Sequence, residues 1–360
     1  MDRTNQKHIL VAPLDWGLGH ATRCIPIINC LLKNSCRVSV AGSGPSLELL
    51  KQEFPQLVFR QLPAHKITYS SNSFFLINLL LQTPRLLNSI RQERKELERI
   101  VRENQVDAII SDNRYGCHVS GVYSVLLIHQ LNIILPPSLA WAKQLIDFIH
   151  HHFIKKFDAC WVPDFSGSIF SGRLSESKKI NARFVGLLSR FTLRDDTREN
   201  GLIIGLVSGP EPQREIFEKL LISEFKKLNR PSLIVRGLPN QVREEVNEQG
   251  IRLISYSLAN ELEKIIKDAE IVVARSGYST IMDLHALGKK RVIFVPTPGQ
   301  TEQEYLADEM KKRDIAFIQT QDRFNLVAAM EESKKYTGFV STAYPANLLN
   351  EAVKDLLSKI

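Results

Sequence analysis

The sequence predicts an α/β protein of two Rossmann-like domains whose parallel sheets face a central cleft. Three observations carry this. The chain has 360 residues, more than one ordinary core holds and enough for two domains. Apolar strand-like runs alternate with helical stretches, as in parallel sheets covered on both faces. The alternation restarts after "SRFTLRDDTREN" (Ser189–Asn200), a polar, charged stretch that reads as a linker. The expected domains are residues 1–190 and 191–345, with a last helix at 346–360 packing back toward the first domain.

In the first half, strands are expected at His8–Leu14, Arg37–Ala41, Val58–Leu62, Ala108–Ser111, Asn132–Leu135, Ala159–Val162 and Arg183–Gly186. A helix is expected over Pro84–Asn104, where Leu86, Leu87, Ile90, Leu97, Ile100 and Val101 recur at helical spacing. In the second half, strands are expected at Leu202–Val207, Ser232–Val235, Ile251–Ile254, Ile271–Ala274, Val292–Val295 and Ala316–Ile318.

Composition is that of a globular chain, 44% hydrophobic and 24% charged. The polar start "MDRTNQKH" runs straight into a strand, with no apolar stretch of signal-peptide length. "FFLINLLL" (Phe74–Leu81) is too short to span a bilayer, and Val122–Pro137 is broken by polar residues and prolines. A soluble, cytoplasmic chain is expected. The five cysteines, Cys24, Cys30, Cys36, Cys117 and Cys160, form no C-x-x-C pair and read as small packed residues rather than a disulfide framework or zinc site. The formal charge of +8 is uneven: residues 1–190 carry +9 and the remainder −1. Basic and aromatic residues are not interleaved in any nucleic-acid motif, so no nucleic acid is expected as partner.

Chemistry in such sheets lies beyond the carboxyl ends of the strands. The first such loop, "LDWGLGHATR", holds Gly17 and Gly19 but has Thr22 where a dinucleotide fingerprint needs a third glycine. It also lacks the G-K-[ST] of a phosphate-binding P-loop. What remains is a tight turn placing His20 at a helix start, either as a proton acceptor or as a packing residue. Asp112 ends the strand "DAIIS" and is a second candidate base or a helix cap. In the second half, Ser208-Gly209-Pro210 and Arg275-Ser276-Gly277 each lie between a strand and a helix. Backbone N–H groups at a helix N-terminus make an anion site, and two such turns beside Arg275 suit a diphosphate. The next loop carries Gln300, Thr301, Glu302, Gln303 and Glu304, hydrogen-bonding groups suited to sugar hydroxyls or a solvated helix start. "LAWAKQLIDFIHHHFIKKFDACW" (Leu139–Trp161) mixes aromatic, aliphatic and basic residues. It is either a peripheral face for anionic membranes or a buried helix. His150, His151 and His152 point about 100° apart on a helix and do not chelate one metal.

"RSGYSTIMDLHALG" and "VIFVPTPGQTEQEYLADEM" resemble the donor-binding segment of GT-B glycosyltransferases, in particular family 28 and its MurG-like members; "DWGLGHATRCIP" and "LVSGPEPQR" resemble that group's glycine loops. The resemblance implies an acceptor-binding first domain and a donor-binding second domain. It implies that Ser208, Gly209, Ser276 and Gly277 hold a nucleotide diphosphate, that Asp283 meets the ribose, that Gln303 and Glu304 meet the sugar, and that His20 serves catalysis or acceptor binding. It further implies a UDP-sugar donor, inversion at the anomeric carbon, and a glycan or lipid-linked hydroxyl acceptor. There are departures: the first loop has fewer glycines, Glu304 stands where the family has an amide, and Asp283 is shorter than the usual Glu. The chain has no D-x-D triplet, which argues against a metal clamp on the diphosphate, and no cofactor is expected beyond the nucleotide sugar. A UDP-sugar 2-epimerase and a non-catalytic UDP-sugar-binding module remain as alternatives.

Overall fold

The computed structural model describes residues 6–64, 75–191, 201–228, 230–243, 245–248, 250–340, 345 and 347–360, with backbone only at 75–86, 247 and 248. Two units emerge: Met1–Asp15 with His20–Leu188 and Tyr344–Ile360, and Trp16–Gly19 with Ser189–Ala343. The stretch expected to be a linker falls largely outside the described residues, as do Phe74 and the side chains of Phe75–Leu81.

The first unit is built from β1 (His8–Pro13), α1 (Leu18–Lys33), β2 (Arg37–Gly42), α2 (Gly44–Glu53), β3 (Val58–Gln61), α3 (Phe75–Asn104), β4 (Ala108–Asp112), β5 (Tyr123–Leu127), α4 (Lys143–Ile154), β6 (Ala159–Val162) and β7 (Ala182–Phe184). Its seven strands are parallel, in the order β3-β2-β1-β4-β5-β6-β7. Every residue of β1 and β4 is buried, which is why both read as unbroken apolar runs. α3 lays Leu97, Ile100 and Val101 onto Leu10, Ala12 and Ile109. Its solvent side carries ladder pairs such as Arg94–Glu98 and Arg99–Glu103.

The expected strand at Asn132–Leu135 is not one. The strand is β5, which begins nine residues earlier, and 132–135 is a loop in which Asn132 N–H donates to Leu174 O at 2.9 Å. Both segments belong to one apolar run. The half ending in Pro136-Pro137 gives way to the half that pairs with β4 and β6 on either side.

The second unit comprises β8 (Leu202–Leu206), α5 (Gln213–Phe225), β9 (Ser232–Val235), β10 (Glu245–Glu248), β11 (Ile251–Ile254), α6 (Ala259–Asp268), β12 (Ala269–Ala274), α7 (Tyr278–Ala286), β13 (Val292–Phe294), α8 (Thr301–Lys312), β14 (Phe317–Ile318) and α9 (Leu326–Ser333). The sheet order is β10-β11-β9-β8-β12-β13-β14, parallel except for β10 against β11. Phe217, Leu221 and Phe225 of α5 pack with Ile203, Ile234, Ile271 and Val273 in its core. β10 is an edge strand that the sequence reading omitted. The last helix, α10 (Leu348–Leu357), belongs to the first unit, where Asn34 Nδ2 donates to Asn350 Oδ1 at 3.0 Å and Arg183 pairs with Asp355 at 3.1 Å.

Candidate catalytic and donor-binding sites

In the first sheet β1 is flanked by β2 and β4, so the strand order reverses between β1 and β4, the place where ligands bind in open α/β sheets. Pro13 and Asp112 are register partners at the carboxyl ends of those strands, and Leu14 N–H donates to Asp112 O at 3.0 Å. Gly17, at φ +94°, makes the turn that a side chain would strain, and α1 begins at once. His20 sits in its first turn, and its Nδ1 lies 3.2 Å from Asp112 Oδ2.

Asp112 is fully buried and caps no helix. Arg23, one turn along α1, grips it bidentately: Nε donates to Oδ2 at 2.8 Å, and Nη2 donates to Oδ1. Nη2 also lies 2.8 Å from His20 Nδ1, and Nη1 lies 3.0 Å from Nδ1 of His129, just past β5. Burial alone would raise the Asp112 carboxyl, but Arg23 and then His20 hold it at about 2. A carboxyl held this low and fully enclosed is a weak proton acceptor, and its Oδ2 faces the His20 ring. Burial and then the Arg23 charge lower the His20 imidazole below its ordinary value, which favours the neutral ring, and 14% of its side-chain surface remains open.

Arg23 and His129 were not singled out from the sequence. Arg23 had a signal, because it stands three residues after His20 on the same helix and so on its face. The loop behind them is set by another buried ion pair. Arg114 and Glu93 are both fully enclosed and paired through Arg114 Nε, while Arg114 Nη1 and Nη2 donate to Pro13 O at 3.0 Å and Pro63 O at 2.7 Å. This ties the ends of β1 and β3 to the turn after β4.

In the second sheet the order reverses between β8 and β12, where Leu206 and Ala274 are partners. Ser208 and Ser276 each follow two residues later, so their turns stand side by side at the carboxyl edge. Gly209 has φ +108°. α5 begins only at Gln213, so Pro210, Glu211 and Pro212 lengthen a turn expected to be shorter. Gly277 is the N-cap of α7, and a Cβ there would meet nothing closer than Thr280 Oγ1 at 3.8 Å.

The other expected donor residues are engaged within the protein. Ser276 is buried and donates from Oγ to Gln303 O at 2.8 Å. Gln303 accepts at Oε1 from Thr297 N–H, and exposed Glu304 accepts from Gly299 N–H, both at 2.9 Å. These bonds brace the loop between β13 and α8 against the α7 turn. Arg275 is buried, with Nη1 donating to Val295 O at 3.0 Å and Nη2 donating to Gln321 Oε1 at 2.6 Å. Its guanidinium lies 4.0 Å from the Phe217 ring centroid, and burial lowers it to about 10. Among the described residues no carboxylate pairs with it. Asp283 accepts from Ser189 Oγ at 2.6 Å and lies 3.6 Å from Arg190 Nε. Burial raises its carboxyl, against the pull of Arg190.

Among the described residues, no helix is long and apolar enough to cross a membrane, and no group of three or more His, Cys, Asp or Glu is placed to hold a metal. Of the histidine run, His150 and His151 are buried, their Nε2 atoms 2.7 and 2.9 Å from Gln130 O and Leu131 O. The same helix and the turn before it leave Trp141, Leu145, Phe148 and Ile149 exposed, Trp141 by 74% and Phe148 by 71%.

Residues 217–340 match the model of the glycosyltransferase family 28 C-terminal domain. Over 157 residues the chain is 28% identical to the UDP-N-acetylglucosamine–N-acetylmuramyl-(pentapeptide) pyrophosphoryl-undecaprenol N-acetylglucosamine transferase of Bacillus pumilus; that match spans 42% of this chain and 42% of that protein. It is 23% identical over 320 residues to an uncharacterized glycosyltransferase of Methanosarcina acetivorans, spanning 80% of this chain and 79% of that one. In three dimensions it resembles the crystal structure of Acinetobacter baumannii MurG with a TM-score of 0.56 at 14% identity, over 98% of this chain and 100% of the other, a likeness of fold. Residues 217–340 are thus similar to a glycosyltransferase family 28 C-terminal domain, and the chain as a whole is similar to MurG in fold.

Proposed function

We propose that this protein transfers a hexose or N-acetylhexosamine from a UDP-sugar to a hydroxyl of a lipid-linked acceptor, with inversion and without a metal. The observation that carries this reading is the His20–Asp112 pair at the strand-order reversal of the first sheet. His20 takes the acceptor hydroxyl proton. The oxygen attacks the anomeric carbon from the face opposite the leaving group, and the bond to the diphosphate breaks. Asp112, ionised and buried, stabilises the imidazolium that forms.

The departing diphosphate gains negative charge. The turns at Ser208-Gly209 and Ser276-Gly277 present backbone N–H groups to it, and the dipole of α7 adds to their pull. Arg275 contributes a buried positive charge near these turns rather than a direct phosphate contact, because its Nη1 and Nη2 donate to carbonyls and to Gln321. Asp283 receives the ribose, while Gln303 and Glu304 shape the loop that receives the sugar. The exposed Trp141, Leu145, Phe148 and Ile149 with neighbouring Lys155 and Lys156 form a face for an anionic membrane surface, where a lipid-linked acceptor resides. On this reading the protein works at the cytoplasmic surface of the inner membrane, in the synthesis of a cell-envelope polysaccharide.

The test is UDP release from a panel of UDP-sugars, with and without polyprenyl-diphosphate-linked sugar acceptors, in EDTA. Acceptor-dependent release with an inverted anomeric product is expected. His20→Gln should lower turnover by about 10²–10⁴-fold while UDP binding persists. A free 2-epimerised sugar formed without acceptor, or UDP binding with no turnover on any donor, would overturn the reading.

A further inference from the structure

Two groups claim the same nitrogen of His20, and they ask opposite things of it. Asp112 is ionised and only accepts, so it needs a proton on Nδ1, at 3.2 Å. Arg23 only donates, so its Nη2, at 2.8 Å, needs the Nδ1 lone pair. A neutral imidazole satisfies one of them at a time. If Nδ1 accepts from Arg23, the ring proton sits on Nε2 and that nitrogen has no lone pair for an acceptor proton. If Nδ1 donates to Asp112, Nε2 is the free base. The Arg23 contact is the shorter, and its Nη2 holds Asp112 Oδ1 as well. On its other side, Arg23 Nη1 makes the same demand of His129 Nδ1 at 3.0 Å.

We propose that Arg23 is a positioning residue that stores His20 in its Nε2-protonated tautomer at rest and must release Nδ1 before His20 can act as a base. This rests on the reading of His20 as the base. The groups that bear on His20 come from three elements: Arg23 on α1, Asp112 ending β4, and His129 after β5, with the Cys24 thiol 3.8 Å from Asp112 Oδ2.

The proton balance is closed. The Nε2 proton is exchanged for one on Nδ1, which turns to Asp112 Oδ2; Arg23 Nη2 keeps Asp112 Oδ1. The acceptor hydroxyl proton then goes to Nε2, its oxygen bonds to the anomeric carbon, and the nucleotide diphosphate leaves with the electron pair. In the stored tautomer His20 cannot deprotonate water either, so the contact protects a bound donor from hydrolysis.

The experiment is long-range 1H–15N spectroscopy of the histidine rings in the full-length wild-type protein, with His20 assigned from the signal lost in His20→Gln. A neutral His20 with a protonated Nε2 is expected in the free protein. In Arg23→Lys, which keeps the charge but not the fork, and in Arg23→Gln, the proton is expected on Nδ1. In Arg23→Gln the acid limb of kcat/KM should move to higher pH, because a positive neighbour and a claim on the lone pair are both gone; in Arg23→Lys it should move less. Acceptor-free UDP release relative to acceptor-dependent release should rise several-fold in Arg23→Lys, with donor KM little changed.

A wild-type His20 protonated on Nδ1 overturns the proposal, and so does an unchanged tautomer in Arg23→Lys. The wild-type spectrum needs no variant to fold and no substrate. If His20→Gln keeps full turnover, the base assignment fails whatever the spectrum shows.

Discussion

Asp112 shows how a single buried charge constrains both folding and chemistry. A carboxylate removed from water is tolerated only where paired and hydrogen-bonded, and breaking such a pair costs about 3–5 kcal/mol because the partner charge stays behind. Its lowered carboxyl contributes stability that is complete above about pH 4 and disappears as pH falls toward 2. Two histidines act earlier in an acid titration. His118 is pushed down to about 4 by burial and then by Arg94 and Lys156, and His285 to about 4 by burial. Both folded-state values lie below the ordinary 6.5, so between pH 6.5 and 4 the unfolded chain binds protons that the folded chain refuses. Stability should therefore fall as pH drops through that window, by about 5 kcal/mol at pH 4.5 relative to 7.5. Urea midpoints at those pH values check this. His285→Gln should remove a substantial part of the difference; a midpoint unchanged from pH 7.5 to 4.5 would contradict it. At this scale His20 and Asp112 were legible from their places after apolar strands. Their partners were not. Arg23 was one charge among many on an unremarked helix face, and His129 was hidden inside a run read only for hydrophobicity. Nor could the sequence say that Ser276 and Arg275 would be engaged by carbonyls of other loops, since those bonds join residues 20–62 positions apart.

Elements were legible where pattern and pairing agree. β1, β2, β6, β9 and β11 lie where apolar runs predicted them, because at most one position in each escapes burial. The failures have physical causes. The run Val122–Pro137 holds two apolar segments, and hydrophobicity alone does not choose between them; position between β4 and β6 does. β10 is the reverse case, a polar "EVNE" that pairs only with β11, and charge on an edge strand deters further pairing while erasing the strand signal. α4 was open between a buried and a surface helix, and it is both. One side buries His150, His151 and Ile154, and the other exposes Leu145, Phe148 and Ile149 beside Trp141. Since Trp141 and Phe148 make little contact with the fold, Trp141→Ser with Phe148→Ser should leave the melting temperature nearly unchanged. If they enter lipid, the same pair should weaken binding to anionic vesicles at least about tenfold, since burying each ring is worth roughly 1.5–3 kcal/mol. Flotation with and without anionic lipid checks this. A wild-type chain that stays at the bottom of the gradient with anionic vesicles would remove α4 as a membrane face.

At the scale of the whole molecule, charge and site are divided between the halves. Residues 1–190 carry the net +9, whereas the remainder, which holds the family 28 domain, is at −1. A unit without net positive charge attracts an anionic nucleotide only through locally oriented dipoles and a few placed cations. In the proposed function those are the turns after β8 and β12 and the buried Arg275. The N-cap of α7 separates this account from a merely structural one. A Cβ at Gly277 has room, its φ of −71° suits any residue, and Asp is among the best N-caps, so Gly277→Asp should fold as well as wild type. Its carboxylate would nonetheless occupy the N–H groups and repel a phosphate. UDP at a hundred times its Kd should stabilise the wild-type second unit by about 2.7 kcal/mol, several degrees in melting temperature. Uridine, with the base and ribose but no phosphate, should give a much smaller shift. Gly277→Asp should keep the unliganded melting temperature and lose most of the UDP shift. A variant that melts as wild type does and still gains the full shift from UDP would show that the diphosphate is held elsewhere, and the electrostatic role given to the α7 turn would fall with it.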